Sequence, residues 1–291
     1  MPSLVPSTFD DSRWISSNAW LSQDPEVRIH YIDCPPSSSK DHKGTIVLIH
    51  GFPQTSYQFR HVITPFSDAG YRVIAPDYRG AGESSKPRDG EAGGQGKVHV
   101  IGHDIGGMVA HAYASRFADD TASVSWGECP LPGTKAYYDS LMDPGVWHFH
   151  FHWQLDLPEA MTHGNERIYI KSFYDRLCLN PAAIGVRDLE HYATMFAQPG
   201  AMRAGFDVYR GFHKDAEENK EWLQKHGKCK VPSLSLSGAS SFLQAMAEGM
   251  VNEVYENVEV ATVESSGHWA AEENPADFVR KNLAFIEKYL V

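Results

Sequence analysis

Short runs of apolar, β-branched residues alternate along the chain with stretches whose apolar positions recur at helical spacing. "VRIHYI" (27–32) reads as a strand, and "GTIVLIH" (44–50) as a buried, β-branched one. "YRVIAPD" (71–77), "KVHVIGHD" (97–104) and "ASVSWGE" (122–128) have the same character, as do "VPSLSLSG" (231–238) and "VEVATV" (258–263). A helix of small residues, "GGMVAHAYASRF" (106–117), follows the fourth run at once. The chain closes on an amphipathic helix, "ADFVRKNLAFIEKYL" (276–290). Repeated strand–helix–strand alternation predicts an α/β fold, with a mostly parallel, doubly wound sheet between helices on both faces.

The stretch between about 130 and 230 breaks that rhythm and reads as helical. Residues 137–212 hold 14 of the chain's 34 aromatics, which marks an aromatic-rich insertion between two strands. The expected organisation is therefore a core of residues 1–130 and 231–291, with a helical cap, or lid, at 131–230. The plainer alternative is that the aromatics pack a second helical layer, and a lid needs such a core as well.

Composition narrows the function classes. Hydrophobic residues make up 42% and charged residues 22%, as in a soluble globular protein. A net charge of −11 with no run of lysine or arginine makes nucleic acid and anionic membrane surfaces poor partners. No apolar stretch is long enough to span a bilayer, and the first residues lack the pattern of a signal peptide. Cys34, Cys129, Cys178 and Cys229 are far apart and form no CxxC. They read as free thiols in a reducing compartment, and the cytoplasm is the expected location.

Three short motifs carry candidate chemistry. "GHDIGG" (102–107) lies between a strand and a helix, with small residues two before and two after Asp104. That is the pattern of a nucleophile elbow, a turn too tight for side chains at Gly102 and Gly106. "HGFP" (50–53) follows the preceding inner strand, where a backbone N–H can help build an oxyanion hole. "SGHW" (266–269) puts His268 on a late loop, where a general base would be wanted. A fourth motif, "WHFHFHW" (147–153), spaces His148, His150 and His152 at every second position. On a strand the three would share a face, and on a helix only 148 and 152 would. Metal pair, aromatic core and polar lid tip all remain open on spacing alone.

In the order HGFP, Gly-x-Asp-x-Gly, late GHW, the chain resembles the α/β-hydrolase family, and within it the epoxide hydrolases and dehalogenases that use an aspartate nucleophile. The likeness extends to "DYRGAGESSKP" (77–87) and "EENP" (272–275). It implies the α/β-hydrolase fold with an inserted helical cap. It also implies that Asp104 attacks a saturated carbon to give an alkyl-enzyme ester. Water activated by His268 then hydrolyses that ester, with the backbone N–H groups of Phe52 and Ile105 as the oxyanion hole. The family places the acid that orients the histidine after either of two strands. "LSLSGASSFL" (234–243), after the later strand, contains no Asp or Glu, and Glu248 lies well past it. Glu128, directly after "ASVSW", is therefore chosen.

Ile105 and Phe52 stand where haloalkane dehalogenases carry donors for a halide. Ile105 and Met108 stand where haloacetate dehalogenases carry arginines. An epoxide instead needs a proton donor from the lid, and the resemblance puts the donors at His148 and Tyr209. Trp147, Phe149 and His103 are expected to line the substrate pocket, and His150 and His152 to be packing or rim residues. No metal and no cofactor are implied. The partners are a small apolar epoxide and water, and the assembly admitted is a homodimer. A dehalogenase is the second reading, and a non-catalytic ligand binder of the same fold, or an inactive deletion variant, the third.

One departure stands out. Between "SKPRDG" (85–90) and "GKVHVIGHD" (96–104) only "EAGGQ" remains. Members of the family carry a crossover helix there, so one crossover helix is expected to be missing near residues 90–96. The remaining glycine-rich link could bridge two parallel strands but not cover the sheet face, and apolar strand residues would be left exposed.

Overall fold

The computed structural model describes residues 12–23, 26–38, 42–85 and 97–290. Eight strands form one sheet: β1 (Ile15–Gln23), β2 (Glu26–Cys34), β3 (Gly44–Ile49), β4 (Tyr71–Pro76), β5 (Val98–His103), β6 (Thr121–Gly127), β7 (Ser233–Gly238) and β8 (Val258–Val263). Their spatial order is β1-β2-β4-β3-β5-β6-β7-β8. The pairs β1–β2 and β2–β4 are antiparallel, and every pair from β4 to β8 is parallel. This is the mostly parallel, doubly wound α/β sheet expected from the alternation.

The first strand was not legible in the apolar pattern. "ISSNAWLSQ" is polar along most of its length and sits at the sheet edge, with Ile15 and Trp20 exposed. Its pairing with β2, rather than burial of its side chains, makes it a strand.

Helices cover both faces. On one, α1 (Ile63–Asp68) and the C-terminal α11 (Pro275–Ile286) pack Phe66, Phe278 and Phe285 onto Ile46, Leu48 and Val73 of the central strands. On the other, α2 (Ile105–Arg116) and α9 (Gln244–Val254) pack Ala110, Ala114, Met250 and Val251 against Val100, Val124 and Trp126. The small residues of α2 allow this close approach, whereas Val109 on it and Phe117 just after it remain exposed. Between β4 and β5 the described residues 77–85 form turns and no helix, and the stretch 90–96 lies outside the described residues. The parallel pairing of β3 with β4 and with β5 is nonetheless complete.

Between β6 and β7 the chain is helical: α3 (Lys135–Ser140), α4 (Trp147–His152), α5 (Leu157–Thr162), α6 (Glu166–Leu177), α7 (Val186–Phe196) and α8 (Ala201–His226). Phe149, Phe173, Tyr192, Phe206, Tyr209 and Phe212 from these helices meet Phe52, Tyr57 and Ile105 from the sheet side in one aromatic cluster. A short helix, α10 (Ala270–Glu273), precedes α11. No helix among the described residues is long and apolar enough to cross a membrane.

The strand ends are tied together beneath this cluster by Asp77. Its carboxylate accepts from Ser56 N–H at 2.7 Å and Glu83 N–H at 3.0 Å, and pairs with His30 Nδ1 at 2.8 Å. Burial alone would raise the Asp77 pKa, but the His30 hydrogen bond and the nearby His50 and His30 charges hold it well below the usual carboxylate range. Asp77 raises His30 in turn, against burial. Asp77 therefore contributes stability above its unfolded pKa of about 3.8, lost as pH falls through the depressed folded value. His30 contributes below its unfolded pKa of 6.5, lost as pH rises through the raised folded value. We expect Asp77→Asn to cost about 3 kcal/mol, measured by denaturant unfolding. The gap to wild type should be widest between pH 3.8 and 6.5.

Candidate active site

At the end of β5 the backbone turns directly into α2, and Asp104 occupies the turn with φ 55° and ψ −127°. A Cβ on Gly102 would lie 2.1 Å from the Gly106 carbonyl oxygen, and one on Gly106 would lie 2.0 Å from the carbonyl oxygen of Ile49. Only glycine fits at either place, so the elbow expected from "GHDIGG" is formed. It lifts the Asp104 carboxylate off the sheet, where Phe52 N–H donates to Oδ1 at 3.0 Å and Ile105 N–H also donates to the carboxylate.

His268 comes from the loop after β8. Its Nε2 is 3.8 Å from Asp104 Oδ2, and its Nδ1 is 2.8 Å from Glu128 Oε2. Glu128 follows β6 directly and is buried. The acid-free loop after β7 holds it: Gly238 N–H donates to Oε1 at 2.7 Å, and the Ser241 hydroxyl donates to Oε2 at 2.7 Å. Glu248 is exposed on α9. Asp104, His268 and Glu128 therefore form one line, the arrangement in which a nucleophile, a base and an orienting acid would stand.

Burial dominates the electrostatics. It lowers the His268 pKa, against the pull of the Asp104 and Glu273 charges. It raises Asp104, countered by His268 and the two N–H donors. With Nδ1–H donated to Glu128, the Nε2 lone pair of a neutral His268 faces Asp104.

Above this line lies a cavity walled by Phe52, Val146, His148, Phe149, Phe173, Leu177, Tyr209, Phe242 and Trp269, among others. His148 and Tyr209 come from different helices, α4 and α8, yet their rings are 5.8 Å apart. Burial first, then the Arg176 and His268 charges, push the His148 pKa down to about 3, so its imidazole is neutral. Burial and the Asp104 charge hold Tyr209 well above its ordinary value, so its phenol stays protonated. Both are neutral donors.

The structure brings Phe149 to the cavity wall but not the two other residues expected there. Trp147 is 43% exposed, because α4 turns it away from the face that carries His148. His103 is buried behind the site and makes no part of the wall. Its Nε2–H donates to the backbone oxygen of His268 at 2.7 Å, which steadies the histidine loop.

The "HFHFH" stretch is helical. His148 and His152 share its buried face, whereas His150 is on the rim and hydrogen-bonds the Leu141 carbonyl at 3.0 Å. His152 is fully buried, 4.3 Å ring-to-ring from Tyr209, and shares a 2.5 Å hydrogen bond with the Tyr169 hydroxyl. No group of three or more metal-ligating side chains occurs among the described residues. Sequence reasoning missed Ser241, Tyr169 and Phe173, which carry no motif of their own.

Known proteins of similar sequence and shape point the same way. The profile of the alpha/beta hydrolase fold family matches residues 44–125. The chain is 31% identical over 261 residues to a soluble epoxide hydrolase of Corynebacterium sp. (strain C12), covering 82% of this chain and 89% of that protein. Among solved structures, Cfl2 from Burkholderia cenocepacia superposes with a TM-score of 0.84 at 28% identity, covering 95% of this chain and 98% of that one. The epoxide hydrolase CorEH superposes with a TM-score of 0.81 at 27% identity, covering 94% and 99%.

The hydrogen-bond line makes a spectroscopic prediction. The His268 Nδ1 proton, donated to a buried carboxylate, should resonate far downfield in the proton NMR spectrum. Glu128→Gln should move it strongly upfield, and Glu248→Gln should leave it in place. The reverse outcome would reassign the orienting acid.

Proposed function

The chain belongs to the α/β-hydrolase family, on its epoxide-hydrolase branch, and from that premise we propose that this hydrolase opens an epoxide to a vicinal diol through an ester on Asp104. The observation that carries the reading is the division of labour at one carboxylate. Oδ1 is held by Phe52 N–H, while Oδ2 faces His268 and the cavity.

In the first step Oδ2 attacks an oxirane carbon and the carbon–oxygen bond on that carbon breaks. The departing oxygen remains attached to the neighbouring carbon and takes a proton from Tyr209, with His148 donating a hydrogen bond as neutral imidazole. Attack by Oδ2 leaves Oδ1 as the carbonyl oxygen of the ester. In the second step His268 Nε2 removes a proton from water, and the hydroxide adds to Cγ of Asp104. The charge collects on Oδ1, against the N–H groups of Phe52 and Ile105. Collapse of the adduct releases the diol and regenerates the carboxylate. The proton held by His268 returns through solvent to the Tyr209 phenolate.

In this reading residues 131–230 act as the lid, over a core of 1–130 and 231–291, because both proton donors come from the helices between β6 and β7. A halide would find only apolar side chains at Phe52 and Ile105, which favours the epoxide over the dehalogenase reading.

Mass spectrometry after brief exposure to a panel of epoxides tests the ester. His268→Gln should accumulate an alkyl adduct on the peptide containing Asp104, and Asp104→Ala should give neither adduct nor turnover. An adduct elsewhere, with active wild type, would sink the proposal.

The lid donors are tested by step. His148→Phe or Tyr209→Phe should slow ester formation by about 10² to 10⁴-fold and leave hydrolysis of a preformed ester nearly unchanged. His150→Phe should change neither step. In pH profiles, ester hydrolysis should be lost on the acid side as His268 protonates, below its ordinary 6.5 because burial lowers it. Ester formation should persist up to pH 10, because the Tyr209 pKa lies well above that ordinary value. A hydrolysis limb above pH 6.5 would contradict the assignment of the base.

A further inference from the structure

We propose that Arg176 is a specificity residue at the mouth of the cavity, and that it selects epoxides carrying a carboxylate on the end remote from the oxirane. This rests on the epoxide-hydrolase reading and deepens it. No cation stands directly after the nucleophile, where Ile105 and Met108 lie, but α6 supplies one from the lid.

Arg176 lies three residues after Phe173 and one before Leu177, both of which line the cavity. Its guanidinium sits 5.7 Å from the centre of the Phe173 ring, and its Nη1 donates to the carbonyl oxygen of Gly145, next to the lining residue Val146. The side chain thus spans two parts of the cavity rim. The end of α6 is also stitched to the catalytic loop, since His268 N–H donates to the Leu177 carbonyl at 3.0 Å.

Arg176 has no carboxylate partner among the described residues, and only the Tyr169 and Tyr209 hydroxyls oppose the burial of its charge. The acids around it are engaged elsewhere. Asp175 pairs with Lys171 at 2.5 Å, and Asp143 accepts from Gly145 N–H at 2.7 Å. Glu273 accepts from the N–H groups of Leu179, Asn180, Gly267 and Trp269. An arginine with unused donors, on an apolar rim in a chain of net charge −11, is a local site for an anion. Other arginines of the lid contrast with it: Arg210 binds Glu159 and Asp207, and Arg203 binds Asp156.

The test uses pairs of epoxides that differ only in a terminal carboxylate or its neutral amide, at several chain lengths. Wild type should favour the best carboxylate over its amide by about five- to tenfold in kcat/KM, mainly through KM, the scale of a partly exposed ion pair. The preference should shrink with added salt. Arg176→Gln should abolish it while leaving amide turnover within about twofold, and Arg176→Lys should restore part of it. Equal treatment of the pair by wild type, or an equal loss on both substrates in Arg176→Gln, would overturn the proposal. Equilibrium binding of the matched carboxylate and amide diols provides a readout independent of turnover. Discrimination there, lost in Arg176→Gln, would uphold the anion site even if neither epoxide were hydrolysed. That outcome would sink the parent reading alone.

Discussion

The site depends on one steric constraint: β5, β3 and the start of α2 approach so closely at the elbow that no Cβ fits at Gly102 or Gly106. Because the chain reverses there within a few residues, Asp104 takes a left-handed backbone conformation, and its side chain has nowhere to go but above the sheet. The first N–H of α2 and the N–H of Phe52 then converge on the same carboxylate. In the proposed reading, nucleophile and oxyanion hole are consequences of one turn. A substitution that relaxed the elbow would dismantle both together.

Burial supplies the second layer of control. A carboxylate, an imidazole and a second carboxylate all lose water here, and each would be costly alone. Glu128 is retained because Gly238 N–H, Ser241 and His268 Nδ1 satisfy it, and the His268 backbone is held in turn by His103 and Leu177. The same dryness keeps His148 and Tyr209 neutral, so the helical side of the cavity offers neutral polar groups opposite the Asp104 carboxyl of the sheet side. In the proposed reading, a strained ether between the two faces would have its carbon toward Asp104 and its oxygen toward His148 and Tyr209.

The parallel strands, the elbow and the loop that carries His268 were legible because each depends on residues adjacent in sequence. Buried strands must be apolar, a tight turn must be glycine, and both show in short windows. The acid that meets His268, Glu128, was legible only by contrast, from a loop after β7 with no acid in it. The structure gives that loop a positive task, since its Gly238 and Ser241 hold the glutamate from the other strand. β1 was hidden because an edge strand needs a pairing partner more than a buried face. His103 was misplaced because adjacency to Asp104 says nothing of direction: in β5 successive side chains alternate, and His103 points behind the site toward the histidine loop. Arg176 was invisible for a related reason, since its proximity to the cavity comes from packing of α6 and not from any spacing to the nucleophile.

The three histidines of "HFHFH" show how one local choice assigns three environments. Read as a strand, they would have been equivalent, and a metal site would have been the natural use of three imidazoles on one face. The chain instead winds them into a helix, which separates His150 from the other two by phase alone. Tertiary packing then distinguishes the remaining pair. His152 is sealed among Tyr169, Phe206 and Tyr209, where its Nε2 is already taken by Tyr169. His148, one turn earlier, lines the cavity beside Tyr209; the Nδ1 of each imidazole has no hydrogen-bond partner among the described residues, so access to the cavity is what separates the two. A neutral imidazole already bonded inside an aromatic cage can only brace its neighbours, whereas one that lines the cavity can meet a substrate. In the proposed reading, helical phase and packing favour position 148 for the imidazole donor and leave His152 to brace the ring of Tyr209 beside it.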